Sequence, residues 1–324
     1  MRGPFDLFPT MHPIRCQVLE KYAERYSRWT EEMKIIAIVI LYNDNTEEAA
    51  SNIRKVARQV DKVCLVDNST DSCPERFKGI DNAIYLPQYQ NKGIAAAQNI
   101  GLKYAIEQQA DYVLFSDPDS QIPDGAVTML FNTYQRMVNQ GYKVGGVGSI
   151  AYNRSTGSPY PLNSNFIKHL PDEAVTEVTF LMNSISLIPT SLFSQVGLMD
   201  ESLFIDGIDS EWCWRGAHRY GLRFFLDDHL HIMHQLGLGT RVIGGKERSI
   251  TPPARFYYQF RNYLWLCRRD YVPRQWLKEN GRKYIIKAIY YPIMVAPRWA
   301  YITNICKGVM AGMKATSGTS AGAR

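Results

Sequence analysis

Asp117-Pro118-Asp119 sets two carboxylates one residue apart, directly after the apolar run Tyr112-Val113-Leu114-Phe115. Acids so spaced at the end of a strand can both reach one divalent cation. Hard oxygen donors in an incomplete protein shell suit Mg2+ or Mn2+ bound jointly with a diphosphate. A plain polar turn is the competing explanation, because Asp is common in turns. A second acidic cluster, Asp206-Gly207-Ile208-Asp209-Ser210-Glu211, runs into Trp212-Cys213-Trp214-Arg215. If Asp209 and Glu211 are both helical they do not share a face, so only one of them points into a common site. Here too a structural role competes: Asp206 and Asp209 as caps of a helix over 210–220, with Glu211 in its first turn, where the helix dipole favours an acid.

The elements that must hold these acids are legible as alternating strands and helices. Ile35-Ile36-Ala37-Ile38-Val39-Ile40-Leu41 is a continuous apolar run, the mark of a strand buried on both faces of a parallel sheet. Thr46 can cap the following helix, with Glu47 and Glu48 in its first turn. Strands are expected over 62–66, 83–86, 112–115 and 144–150, and helices over 94–109 and 125–139. This alternation predicts right-handed βαβ units in an α/β, Rossmann-like, mostly parallel sheet flanked by helices. Ligands then bind beyond the carboxyl ends of the strands, at the switch in strand order. The polar loops at 42–45, 67–71 and 116–120 meet that condition. The first of them has no G-x-G-x-x-G, which argues against a dinucleotide site.

Composition bounds the rest. The chain has 324 residues, 45% hydrophobic and 21% charged, so a packed globular protein is expected. Its 6 Cys form no C-x-x-C pair and no zinc pattern, and read as reduced thiols of a cytosolic protein. The first residues carry Asp6, Glu20 and Glu24 without an apolar core, unlike a secretory signal. The formal net charge is +6, and much of the excess sits late in the chain. Arg282, Lys283, Lys287, Arg298, Lys307 and Lys314 alternate with Tyr, Trp and Ile, and no acid lies among them. Charges and prolines break this stretch, so it is not expected to span a bilayer. Basic and aromatic residues at helical spacing suit an interfacial helix on anionic lipid, and packing on the core or a homo-oligomer contact is the alternative. No nucleic-acid motif accompanies the stretch, so nucleic acid is not expected as a partner. The organisation expected is a 1–33 extension with a short amphipathic helix from Cys16 to Met33, a catalytic domain over 34–265, a helical region over 266–314 and a disordered tail over 315–324.

The ordered set Tyr42-Asn43, Val66-Asp67-Asn68-Ser69, Asn91-Lys92-Gly93 through Asn99, and Asp117-Pro118-Asp119 resembles the family 2 glycosyltransferases over roughly residues 34–265. The resemblance implies the GT-A fold and inverting transfer, and is nearest to bacterial rhamnosyltransferases that build O-antigen and other surface polysaccharides. By position it assigns Tyr42, Asn43, Asp67 and Asn68 to the base and ribose pocket. Asn91, Gly93 and Asn99 go to the segment closing over the nucleoside, and Asp117 and Asp119 to the metal and diphosphate. Asp209 becomes the catalytic base with Glu211 its supporting acid, although Ile208 stands where the family has Glu, which leaves Asp209 and Glu211 both open as the base. Ser184 lies in the segment lining the donor sugar, His234 in a His-x-x-Gly segment near the metal, and Trp212 beside the base could stack on the acceptor sugar.

The activity so implied is transfer of L-rhamnose from dTDP-rhamnose to a polyprenyl-diphosphate-linked saccharide, by a protein peripheral to the inner face of the bacterial cell membrane. A UDP-sugar donor is the nearest alternative, and a non-catalytic nucleotide-sugar or saccharide-binding protein is the rival from another class. A nucleotidyltransferase would need a Gly-rich phosphate loop after the first strand, which this chain lacks.

Overall fold

The computed structural model describes residues 33–44, 46–154, 156–234, 240–243, 246–249 and 251–314. Strand β1 (Ile35–Leu41) is central, and its side chains divide between two layers. Ile35, Ala37, Val39 and Leu41 pack with helices α1 (Glu47–Ala57) and α3 (Ala126–Asn139). Ile36 and Ile38 pack with α2 (Ile94–Glu107) and with α4 (Ser191–Val196) and α5 (Ile208–Tyr220). Each buried Ile or Val contributes roughly 1.5–3 kcal/mol of transfer free energy, so a run apolar on both faces can sit only here.

The remaining strands are β2 (Lys62–Asp67), β3 (Ala83–Pro87), β4 (Tyr112–Ser116), β5 (Val144–Asn153), β6 (Phe166–Leu170), β7 (Val175–Val178), β8 (Ile185–Pro189) and β9 (Arg223–His234). With β1 they form one nine-stranded sheet in the order β3-β2-β1-β4-β8-β5-β9-β7-β6. Pairing directions leave only β7 and β8 running against the other strands. The α/β, mostly parallel sheet expected of a GT-A protein is present. The chain steps outward from β1 to β2 and β3, then returns to the other side of β1 as β4. That reversal is the switch point, flanked by the loops after β1 and β4. The antiparallel β8 was not foreseen as such; its register sets Ile185 opposite Ser116, so Asn183 and Ser184 face the loop after β4.

A separate small hairpin joins β10 (Thr240–Ile243) to β11 (Lys246–Ser249). Three helices follow: α6 (Pro253–Leu266), α7 (Arg274–Met294) and α8 (Arg298–Met313). Their shared core joins Phe256 and Phe260 of α6 to Val295, Tyr301 and Ile305, with Tyr284, Ala288 and Tyr291 of α7 against it. Helix α6, which ends at the boundary expected at 266, packs both on α7 and α8 and on the 202–206 loop. Among the described residues no helix is long and apolar enough to cross a membrane. The helix expected before Met33 and the tail over 315–324 lie outside the described residues.

Candidate active site

Side chains just beyond β1 and β2 tie two loops together. Asn43, at φ 57°, donates its N–H to Ser69 Oγ at 2.7 Å. Ser69 N–H donates to Asp67 Oδ1 at 3.0 Å, and the Tyr85 hydroxyl donates to the other Asp67 oxygen. A hollow of ≈ 170 Å³ lies here, lined in part by Asn43, Asp44, Asp67 and Ser69. Tyr42 stands 51% exposed next to Asn43. Buried Asn68 donates to Asn91 Oδ1 at 3.1 Å and accepts the Lys92 N–H at 2.9 Å, joining this loop to the segment before α2. The structure thus brings together Tyr42, Asn43, Asp67, Asn68 and Asn91, but not Asn99. That side chain is 2% exposed and is spent on Met199 and Glu201.

Gly93 has φ 85°, a conformation that L side chains rarely adopt. A Cβ there would come within 2.5 Å of the Phe204 ring and 2.8 Å of the Phe204 carbonyl oxygen. That carbonyl accepts the Ile94 N–H at 2.7 Å, satisfying a donor at the start of α2. The segment at 91–93 therefore rests on the loop that leads to Asp209.

The loop after β4 closes a turn, with Ser120 N–H on Asp117 O at 3.1 Å. Asn52 of α1 holds the Pro118 carbonyl at 3.1 Å, and Asp117 N–H faces Ser184 O at 3.4 Å. Asp119 and Asp67 raise the pKa of Asp44, though burial is the larger cause. Among the described residues no three His, Cys, Asp or Glu already form a metal cage. Asp117 and Asp119 near other acids fit a hard cation whose remaining positions are filled from outside the protein, as a diphosphate would. His234 ends β9, and its side chain lies outside those described.

Asp209 completes the cluster. Its oxygens accept from Asn183 Nδ2 at 2.6 Å and Asn183 N–H at 3.1 Å. Burial pushes its carboxyl up to about 7, and the Asp117 charge adds to that; bonds from Asn183 and Gln98 pull the other way. A carboxylate titrating near neutrality close to a second acid suits a general base. Asn183, Gln98 and Asp44 were not picked out from the sequence. The only signal for Asn183 was its place next to Ser184.

Glu211 is held elsewhere. It is 1% exposed and bound by Arg215 at 2.9 and 3.1 Å, Arg269 Nη1 at 3.0 Å and the Tyr271 hydroxyl at 2.6 Å. Trp212 does not reach an acceptor. Its ring is 1% exposed in the core against Phe193, with Nε1 on Gly197 O at 2.8 Å. An apolar ring in that helical register is worth more buried than stacked on a sugar. Nor do Asp206 and Asp209 cap α5: the cap position is Gly207, and Asp206 forms a forked pair with Arg255 at 2.7–3.0 Å. From α6, Asn262 Nδ2 also contacts the carbonyls of Leu203, Ile205 and Asp206 at 2.9, 2.6 and 2.9 Å, fixing the approach to Asp209.

The family model described as glycosyl transferase family 2 matches residues 36–197, half of the chain, and the chain belongs to that family. It is a glycosyltransferase. Among curated proteins it is 28% identical over 298 residues to the dTDP-rhamnosyl transferase RfbF of Shigella flexneri, covering 90% of this chain and 98% of that one. It is 25% identical over 189 residues to the low-salt glycan biosynthesis hexosyltransferase Agl10 of Haloferax volcanii, covering 55% of this chain and 60% of that one. Of the solved structures, Staphylococcus aureus TarS superposes with a TM-score of 0.49 at 16% identity, covering 86% of this chain and 49% of that one. A structure of GalNAc-T7 with UDP, GalNAc and Mn2+ gives a TM-score of 0.49 at 12% identity, covering 88% of this chain and 67% of that one.

Proposed function

We propose that this glycosyltransferase transfers L-rhamnose from dTDP-rhamnose, with inversion, to a polyprenyl-diphosphate-linked saccharide during bacterial surface polysaccharide synthesis. The sugar and nucleotide are supported by the relationship to the dTDP-rhamnosyl transferase, which runs along nearly the whole of both chains. The observation that carries the chemistry is Asp209, lifted towards neutrality and close enough to Asp117 to feel its charge.

In this reading the nucleoside lies against the loops bearing Tyr42, Asn43, Asp67 and Asn68, with the 91–93 segment over it. Asp117 and Asp119 would hold Mg2+ or Mn2+, and that cation would supply positive charge to the leaving diphosphate. The acceptor hydroxyl attacks the anomeric carbon on the face opposite the diphosphate. Asp209 takes the hydroxyl proton as the new C–O bond forms, and the electron pair of the old bond leaves with the nucleoside diphosphate. Asn183 orients the Asp209 carboxylate. The protein works at the cytoplasmic face of the membrane as a peripheral protein, a reading supported by the basic and aromatic character of 282–314.

The test is a screen of dTDP- and UDP-sugars with Mg2+ for protection against thermal unfolding, since a ligand bound only by the folded state must raise Tm. Protection by dTDP-rhamnose above all other donors is expected. Protection by a UDP-sugar with none from dTDP-rhamnose overturns the donor assignment.

A further inference from the structure

Sixteen large apolar side chains are exposed among the described residues, and eight of them lie on α7 and α8 or at their junction. On α7, Ile285, Ile289 and Ile293 recur every four residues and Ile286 lies beside them, all 58–65% exposed. At that spacing they form one stripe along the helix. On α8, Trp299 is 79% exposed and Met310 59%. The opposite sides of the same helices already pack on α6, through Tyr284, Ala288 and Tyr291 of α7 and Tyr301 and Ile305 of α8.

The charges around the stripe have one sign. After Glu279 the chain contains no further Asp or Glu. Arg282 and Lys283 precede the isoleucines by one turn, Arg298 adjoins Trp299, and Lys307 lies one turn from Met310, all four exposed. Exposed isoleucines and a tryptophan with a purely cationic border complement an anionic lipid surface, where apolar groups enter the headgroup boundary and cations meet the lipid phosphates. A second copy of the chain is a poorer occupant. A twofold contact through this face would set the same cationic border against itself.

We propose that the outer faces of α7 and α8 form an interfacial anchor for anionic lipid. The proposal deepens the membrane reading above and rests on it for its purpose. The anchor is joined to the site through α6, which packs on both helices and grips the loop before Asp209 through Arg255 and Asn262.

The test is sedimentation of the full-length protein with vesicles of phosphatidylcholine alone or with about 30% phosphatidylglycerol. Binding to the anionic vesicles only, weakened by salt, is expected. The combined change Ile285→Ser, Ile289→Ser and Ile293→Ser should lower that binding by at least about tenfold. The same variant should keep its Tm and its donor-dependent Tm shift, because these side chains face solvent. Undiminished binding by the variant overturns the proposal. So does a wild-type protein that ignores anionic vesicles, or a stable dimer that the substitutions convert to monomer. Lipid binding with no response to dTDP-rhamnose leaves the anchor standing and removes only the donor assignment.

Discussion

Two groups of acids lie within a few residues of each other and are treated in opposite ways. Asp200, Asp206 and Glu211 each have an arginine: Arg269, Arg255 and Arg215 respectively, with Arg269 shared by Glu211. Asp209, between two of them in sequence, instead meets the amide of Asn183 and the charge of Asp117. Asp44 likewise feels Asp119 and Asp67. The matched acids secure the loop and helix that carry the site. Burial, and after it the neighbouring acids, raise the pKa of Asp44 and Asp209, an arrangement that costs stability and is relieved when a ligand brings positive charge. Position in the sequence does not separate the groups; the partner does.

The sharpest test of this contrast is Asp209→Asn. Loss of the proposed general base should lower kcat by about 10²–10⁴-fold, measured as donor turnover. Stability should move the other way. Because the Asp209 pKa is raised from 3.8 in the unfolded chain to about 7 in the folded one, the folded protein binds the extra proton. Ionising Asp209 then costs stability at pH above about 7, and that cost fades as pH falls towards the unfolded value. The Asn variant should therefore be at least as stable as the parent at alkaline pH. In the parent, kcat/KM should fall about tenfold per pH unit below the Asp209 pKa. A variant that loses Tm but keeps turnover would reverse the roles.

Glu211→Ala should do the reverse. It leaves two nearly buried arginines without their shared carboxylate, and a loss of about 3–5 kcal/mol is expected in chemical denaturation. Turnover per folded molecule should change far less than in Asp209→Asn. A normally stable but inactive Glu211 variant would make Glu211, not Asp209, the base.

Asn262→Ala is the mildest change. It removes one amide from three carbonyls of the 203–206 loop, and should cost about 1–3 kcal/mol. Because the loop positions Asp209, kcat should fall more than donor KM rises. Equal kcat with reduced stability would limit α6 to a supporting role.

The parallel half of the sheet was legible because strands buried on both faces leave continuous apolar runs, as in Ile35–Leu41. The Asp117–Asp119 loop followed directly, since it ends such a strand. The antiparallel β8 was less legible: a short buried run carries no sign of its direction, and direction is what sets Asn183 opposite the 117–119 loop. The two-residue spacing did separate Asp209 from Glu211. What sets their surroundings apart is Arg269 and Tyr271, which reach Glu211 from far along the chain. Trp212 was misjudged because aromatic character says nothing about which side of a helix faces the core.

Gly93 and Phe204 leave little room for independent change. Any residue with a Cβ at 93 must overlap Phe204, including its backbone, and must also take a left-handed conformation. Shrinking residue 204 relieves only the ring contact and would remove the stacking on Tyr258, centroids 4.6 Å apart. Among descendants of this chain, position 93 should therefore stay glycine whatever side chain stands at 204. That contact ties together two segments more than a hundred residues apart in sequence.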